Sequence, residues 1–187
     1  MNEFIKNETV GLFDNSKTIN INLYKEGLSD VSKIIKEMIK IKNETNRKIN
    51  KRRKVYTIED KLSLNQISST LGFSITKHHI KDYSLVDEVI TNIEEFEAAI
   101  KTDLFDYYFD KYINILIDKE IDINDESTIK INSDIIYIEL IDSIEKDIFE
   151  NKFSSIEIDK RKTYLNSITA YVFYECKFLI PIKEEEL

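Results

Sequence analysis

Glycine and proline are almost absent from this sequence, with three glycines and one proline among 187 residues. Both residues interrupt helices, so their scarcity, together with abundant isoleucine, lysine and glutamate, predicts long helices. A phosphate-binding loop needs several glycines close together, whereas Gly11, Gly27 and Gly72 lie far apart. The sequence therefore argues against ATP binding by this chain, and we expect no cofactor.

Cysteine and long apolar runs are equally scarce. The single Cys176 forms no internal disulfide, which agrees with a reducing compartment. No apolar run approaches the roughly 20 residues that a membrane span needs, and the first residues lack the basic start and apolar centre of a signal peptide. We therefore expect a cytoplasmic protein that has no membrane partner.

The apolar pattern predicts a mainly α fold, with a helical domain at 55–187 and a small strand-and-helix arm with a basic linker at 1–54. Ile19, Ile21 and Leu23 alternate with polar residues, as in a half-buried strand. A strand needs a partner, so we expect a hairpin or a homo-oligomer formed through this N-terminal strand. Ser29 is placed to cap a helix whose apolar residues include Val31 and Ile41.

Five further helices are predicted in the domain. The sequence at Thr57 resembles a capping box, and Gly72 is expected to separate a first helix from a short second helix or turn. Ser84 is placed to cap a long helix whose shared apolar face includes Phe96 and Leu104, and which continues or breaks near Thr102 and Asp103. Asn124 and Asp125 form a turn signal. The predicted helices begin near Thr57, Ser74, Ser84, Ser133 and Tyr164.

The last helix holds the most apolar run of the chain and is the best candidate for the centre of the core. Its apolar residues recur three or four apart on two adjoining rows, so most of its circumference should be covered. Pro181 is expected to end it. The predicted core residues are Leu165, Ile168, Val172, Phe173, Cys176 and Leu179.

A basic stretch runs from Lys40 to Lys54, with eight lysines and arginines against Glu44 alone. Its net charge is +7 in a chain of −8, so the remainder carries −15. Such a stretch is a solvated linker, a segment that folds against the acidic domain of its own chain, a weak and non-specific nucleic-acid contact, or a partner contact. The candidate phosphate or partner contacts are Arg47, Lys48, Lys51, Arg52, Arg53 and Lys54.

Residues 64–81 resemble a helix-turn-helix, with Gly72 in the turn and Ser74, Thr76 and Lys77 opening a recognition helix. His78 and Lys81 occupy positions that should be apolar in such a motif. The resemblance is therefore partial, and it supports DNA binding only as an alternative.

No catalytic or metal-binding motif emerges from the remaining polar residues. His78 and His79 are adjacent, so on a helix they diverge and do not chelate one metal; we expect them to be exposed. Asp103, Asp106 and Asp110 form an acidic stripe without a histidine to complete a metal site. The sequence thus predicts no enzyme and no metal.

A set of residues in the helical domain resembles the C-terminal domains of ABC-three-component systems, bacterial conflict systems related to Lamassu-type defence. The resemblance covers residues 55–183. It is carried by Ile58-Glu59-Asp60-Lys61, Asn65, Tyr83, Val86-Asp87, Tyr112 and the ending Ala170-Tyr-Val-Phe-Tyr-Glu-Cys-Lys-Phe-Leu-Ile-Pro181.

The resemblance implies a non-enzymatic adaptor that links an effector to an SMC-like ABC ATPase and a small middle component. In the family such a domain is usually fused to an upstream effector enzyme, whereas the first 54 residues here are too short for a nuclease or protease domain. Two hypotheses follow: a helical adaptor of an antiviral or anti-plasmid complex, and a helix-turn-helix DNA-binding regulator.

Overall fold

The computed structural model describes residues 30–41, 57–150, 158–175 and 178–182, and within these ranges the protein is built from helices with no strand. The mainly helical fold is therefore confirmed. The helices are α1 (30–41), α2 (Ile58–Leu64), α3 (Ser69–Glu94), α4 (Ile100–Asp118), α5 (Glu126–Ile131), α6 (Ser133–Glu150) and α7 (Ile158–Glu175).

Helix starts follow the capping signals of the sequence. Thr57 and Asp60 form the predicted capping box at the start of α2, in which each side chain accepts a bond from the other residue's backbone N–H. The bonds from Thr57 lower the pKa of the Asp60 carboxyl. Asp125 caps α5 by accepting from the Thr128 N–H at 3.1 Å, which confirms the predicted turn at Asn124 and Asp125.

Two helix ends use a left-handed residue that is not glycine. Gln66, with φ 54°, follows the last turn of α2, and Glu120, with φ 55°, follows that of α4. At each end the N–H of the left-handed residue and the N–H of the residue after it donate to carbonyls of the last turn, as in a Schellman motif. The chain thus turns sharply at positions where the sequence shows no glycine.

The predicted break at Gly72 is wrong. Helix α3 runs without interruption from Ser69 to Glu94, so neither a turn at Gly72 nor a new helix at Ser84 exists. The turn lies at 65–68 instead, because Gln66 takes the left-handed conformation there. A Cβ on Gly72 would meet the Leu62 side chain at 3.6 Å, an ordinary contact, so nothing in the local packing requires glycine.

The break after α3 also differs from the prediction near Thr102 and Asp103. It falls at residues 95–99, and α4 begins at Ile100. This changes the phase of the helix, so Phe96 is exposed although its spacing had placed it on the buried face. Leu104, on the far side of the break, is fully buried.

Helix α7 occupies the centre of the core, as predicted. Every residue from 167 to 174 is buried, and the rings of three tyrosines lie near Phe173 and Phe178. The rings nearest to these two phenylalanines belong to Tyr108, Tyr112 and Tyr137, with centroids 5.6 to 6.4 Å away. Burial raises the pKa of Tyr112 to about 12, so these rings remain neutral parts of the core.

The end of α7 differs from the prediction. The described part of the helix runs to Glu175, and the chain from Phe178 to Ile180 is non-helical, with Leu179 at φ 56°, so the helix does not continue to Pro181. Leu179 is still buried, as are Leu165, Ile168, Val172 and Phe173, so these five predicted core positions are confirmed. Cys176 lies outside the described residues.

Helix α1 forms at the predicted place, and its apolar residues join the same core as the other helices. Lys33 on α1 donates to Glu97 at 2.6 Å, which ties α1 to the loop after α3. The predicted strand around Ile21 and the predicted boundary at residue 54 lie outside the described residues and stay predictions. None of the helices described is long and apolar enough to span a bilayer.

Candidate functional site

A buried polar contact joins α2 to the chain that follows α7. The Asn65 side chain donates to the Ile180 carbonyl at 3.1 Å and accepts from the Ile180 N–H at 2.8 Å, so one amide satisfies both backbone groups of Ile180. Its second N–H donates to the Lys61 carbonyl at 2.9 Å. Since Asn65 is fully buried, water does not compete for these bonds.

Lys61, one turn before Asn65, acts on the last turn of α7. Its side chain is 1% exposed, and its ammonium donates to the Phe173 carbonyl and lies 4.8 Å from the centroid of the Phe173 ring. Carbonyls in the last turn of a helix lack helical partners and carry the negative end of its dipole. We call this arrangement of Lys61, Asn65, Phe173 and Ile180 the C-terminal clamp.

A second polar contact lies between α3 and α7. The Ser167 hydroxyl lies 2.7 Å from the Asp82 carboxylate and 3.0 Å from the Thr163 carbonyl, and its single hydrogen is shared between these two acceptors. Nδ1 of His78 lies 3.3 Å from the same hydroxyl. Burial lowers the pKa of His78, which favours the neutral imidazole, and the Asp82 carboxylate opposes this shift.

These three residue types occur in hydrolase triads, but their arrangement here is different. In a triad the imidazole lies between the serine and the carboxylate, whereas here the serine hydroxyl lies between the other two. Ser167 and Asp82 are also buried, so a substrate has no access to the hydroxyl. The arrangement can brace α3 against α7, and it does not present a nucleophile.

Aromatic residues extend the contact between α3 and α7. The Tyr83 hydroxyl donates to Glu175 at 2.7 Å, and the Tyr171 hydroxyl donates to Asp87 at 3.0 Å. Burial, followed by the nearby carboxylates, raises the pKa of both tyrosines. The rings of this group keep their protons and serve as hydrogen-bond donors to α3 and α7.

His79 lies within the same group, with its ring 4.9 Å from Tyr83 and 4.6 Å from Tyr174. Both histidines were expected to be exposed, and both are instead half-buried against α7. His79 and Tyr83 are four residues apart, so the sequence alone indicates that they lie on the same side of a helix.

The residues that carry the family resemblance thus contact one another across the fold. Lys61 and Asn65 reach the α7 end, Tyr83 and Asp87 reach α7 itself, and the Tyr112 ring packs 6.3 Å from Phe178. Most of these pairs are far apart in the sequence. Their shared role in the structure is to fix α7 and the segment after it.

The predicted recognition residues lie on one continuous helix. Ser74 and Lys77 are exposed and Thr76 is half-buried, all in the first third of α3. The helix-turn-helix geometry predicted for them is therefore wrong, because their helix begins at Ser69 and has no turn at Gly72. The six basic residues Arg47, Lys48, Lys51, Arg52, Arg53 and Lys54 lie outside the described residues.

The outward side of α3 nevertheless forms a distinct surface, which we call the α3 face: Phe73, Lys77, Ile80 and Lys81. Phe73 and Ile80 are each 74% exposed and lie two turns apart on the same side of the helix. No aspartate or glutamate occurs from residue 61 to residue 81. In an acidic chain, this face is both apolar and locally basic.

A groove of about 460 Å³ separates α1 from the C-terminal end of α3. Its wall includes Ile41 and Phe96 as apolar members and Lys33 and Glu97 as a charged pair. The acidic stripe of Asp103, Asp106 and Asp110 is exposed on α4. Within the ranges given above, no three histidine, cysteine or carboxylate side chains converge as metal ligands.

Comparison with known proteins gives no relative: no family model, no curated protein and no solved structure matches this chain.

Proposed function

We propose that this chain is a helical adaptor without catalytic activity, which assembles with an SMC-like ABC ATPase and other components of a bacterial antiviral or anti-plasmid system. The observation that supports the proposal is the mutual contact of the residues that carry the resemblance. Asn65 with Ile180 and Lys61 with Phe173 make one buried arrangement out of two motifs that are more than 100 residues apart.

The polar chemistry of the core is consistent with a binding protein. Its serine, histidine and carboxylate groups hold helices together and are closed to substrates, as described for Ser167 and Asp82. The surface, by contrast, carries exposed isoleucine and phenylalanine side chains such as Phe73 and Ile131. Exposed apolar groups of this size are typical of protein contacts.

The test is co-purification of the tagged chain from cells that express it together with its neighbouring genes. We expect the ATPase to be recovered with the chain. A matched variant replaces Arg47, Lys48, Lys51, Arg52 and Arg53 with glutamine. It should lose any retention on DNA while it keeps the ATPase, because the helical body carries the contact.

The second candidate is a DNA-binding regulator that uses the α3 face. The observation in its favour is the acid-free stretch from Lys61 to Lys81, which presents Lys77 and Lys81 with exposed hydroxyl residues. Sequence-specific DNA binding that is lost when Thr76 and Lys77 are changed to alanine would favour this candidate over the adaptor. DNA binding that is independent of sequence and falls steeply with salt concentration would not favour the DNA-binding regulator.

A further inference from the structure

The two lysines of the α3 face are not paired within the described part of the chain. Neither Lys77 nor Lys81 has a hydrogen-bond or ion-pair partner among the described residues. Lysines on other helices do have such partners, since Lys119 donates to Glu139 at 2.7 Å. The charges of the α3 face therefore remain available to another molecule.

The carboxylates of α3 do not offset these lysines on the exposed side. Asp82 is 3% exposed and accepts from Ser167 on α7, and Asp87 accepts from Tyr171 on the same helix at 3.0 Å. Glu88 is the first exposed carboxylate of α3, and it lies about 10 Å along the axis beyond Lys81. The exposed side of α3 is thus positively charged over its first half.

The two apolar side chains of the α3 face repeat after seven residues. Phe73 and Ile80 lie about 10 Å apart on one side of the helix, with Lys77 between them and Lys81 beside them. Helix α3 is uninterrupted along this ridge. Apolar side chains at seven-residue spacing with charges beside them are the pattern by which one helix packs along another.

A protein helix fits this surface better than a nucleic acid does. Two lysines neutralise only about two phosphates, so their contact with a nucleic acid is weak and depends little on salt. Phe73 and Ile80 meet no apolar surface on a phosphate backbone, whereas another helix removes their exposed area from water. The occupant that matches all four residues is a helix that carries both apolar side chains and carboxylates.

We propose that the α3 face is the docking surface for an acidic amphipathic helix of a partner protein. That helix has apolar side chains seven residues apart, which pack beside Phe73 and Ile80. Its aspartates or glutamates pair with Lys77 and Lys81. The proposal rests on the adaptor role, and it adds the surface that docks and the chemistry of the docked segment.

The first measurement uses two synthetic helical peptides of about three heptads and the whole chain. Both have leucine at the a and d positions, and the e and g positions hold glutamate in one peptide and lysine in the other. Fluorescence anisotropy should show that the glutamate peptide binds at least about tenfold more tightly than the lysine peptide. This comparison needs no variant, so it tests the proposal even where a variant unfolds.

Variants then show that the α3 face is the binding surface. Lys77→Glu combined with Lys81→Glu should reverse the preference between the two peptides, because it exchanges the charge of the face. Phe73→Asp should abolish binding of both. The matched control is Phe96→Asp, which changes an exposed phenylalanine near the other end of α3 and should bind like the wild type. Circular dichroism shows whether each variant keeps its fold.

The second measurement repeats the co-purification with the ATPase. Phe73→Asp and the double glutamate variant should each lose the ATPase, and Phe96→Asp should keep it. If both variants recover as much ATPase as the wild type, the docking surface is wrong and the adaptor role stands. If the wild type recovers none, the adaptor role is contradicted, and the peptide preference alone decides the docking surface.

Two further results would overturn the proposal. The first is equal binding of the two peptides, or a preference that the glutamate variant leaves unchanged. The second is failure to bind the glutamate peptide together with binding to duplex DNA, or to vesicles of anionic lipid, that is lost in the glutamate variant. That result would make the α3 face a surface for phosphate groups.

Discussion

Helices α3 and α7 pack against each other, yet their surroundings are opposite. Helix α7 is buried on all sides from Ser167 to Tyr174, whereas α3 buries one side and exposes Phe73 and Ile80 on the other. Both helices are rich in large apolar residues. The comparison teaches that composition does not distinguish a helix that is buried on all sides from a helix that buries only one side.

The largest expected effect comes from the same change on the two helices. Phe173→Ala should lower the free energy of unfolding by about 3–5 kcal/mol, because it opens a cavity in the packed core. Phe73→Ala should change it by less than about 0.5 kcal/mol, because that ring is exposed. Urea unfolding of the two variants gives the measurement. Similar losses in both would contradict the contrast drawn between the helices.

The C-terminal clamp gives the next effect. Asn65→Ala removes both partners of the Ile180 backbone and leaves a buried N–H and a buried carbonyl unpaired. At about 1–3 kcal/mol for each group, we expect a loss of about 3 kcal/mol. Asn92→Ala, at an exposed position of α3, is the control and should change the free energy of unfolding little. An equally small loss for Asn65→Ala would mean that Ile180 finds other partners.

A smaller effect of opposite sign is expected at Gly72. Because this glycine lies inside α3 and an added Cβ has room, Gly72→Ala should raise the free energy of unfolding by about 1 kcal/mol. A turn at this position would instead make alanine neutral or harmful. Thermal unfolding followed by circular dichroism decides between them, with Ser74→Ala as a control on the exposed side of the same helix.

The smallest effect expected is a dependence on pH at the contact between α3 and α7. Burial lowers the pKa of His78 in the folded state, with Lys81 and Lys77 adding to this and Asp82 opposing it. The unfolded chain therefore binds more protons below the usual histidine pKa of about 6.5, and stability falls as the pH drops through that range. His78→Gln should flatten this slope when unfolding is compared at neutral and mildly acidic pH. If the pH dependence of the free energy of unfolding is the same in His78→Gln, other titratable groups cause it.

The sequence was sufficient to predict the helices and much of the core, because burial leaves a periodic pattern in residues such as Ile168 and Leu104. It was not sufficient to place the breaks. Turns made by Gln66 and Glu120 have no glycine to indicate them, and Gly72 indicates a turn that does not exist. The error at Phe96 follows from the same cause, because a missed break shifts the helical phase.

The candidate site shows a different limit. Asn65 and Lys61 are recognisable as motif residues, but their partners lie 115 and 112 residues away, and no local pattern shows such pairs. His78 and His79 were predicted to be exposed because the packing of α7 against α3 is not visible in the spacing of α3 alone. The periodicity of apolar residues shows which side of a helix is buried. It does not show which other helix packs against that side, and only the three-dimensional structure gives this.

The C-terminal clamp also bears on the order in which this protein acquires its structure. A ribosome makes Asn65 early and Ile180 more than 100 residues later, so helices α2 to α6 emerge before the segment that the clamp holds. Local helices form within about a microsecond, whereas contacts between distant residues form slowly. Until α7 arrives, the buried sides of α2 and α3 lack their cover. We therefore expect the core of the protein to be completed only when α7 and the segment after it have been synthesised.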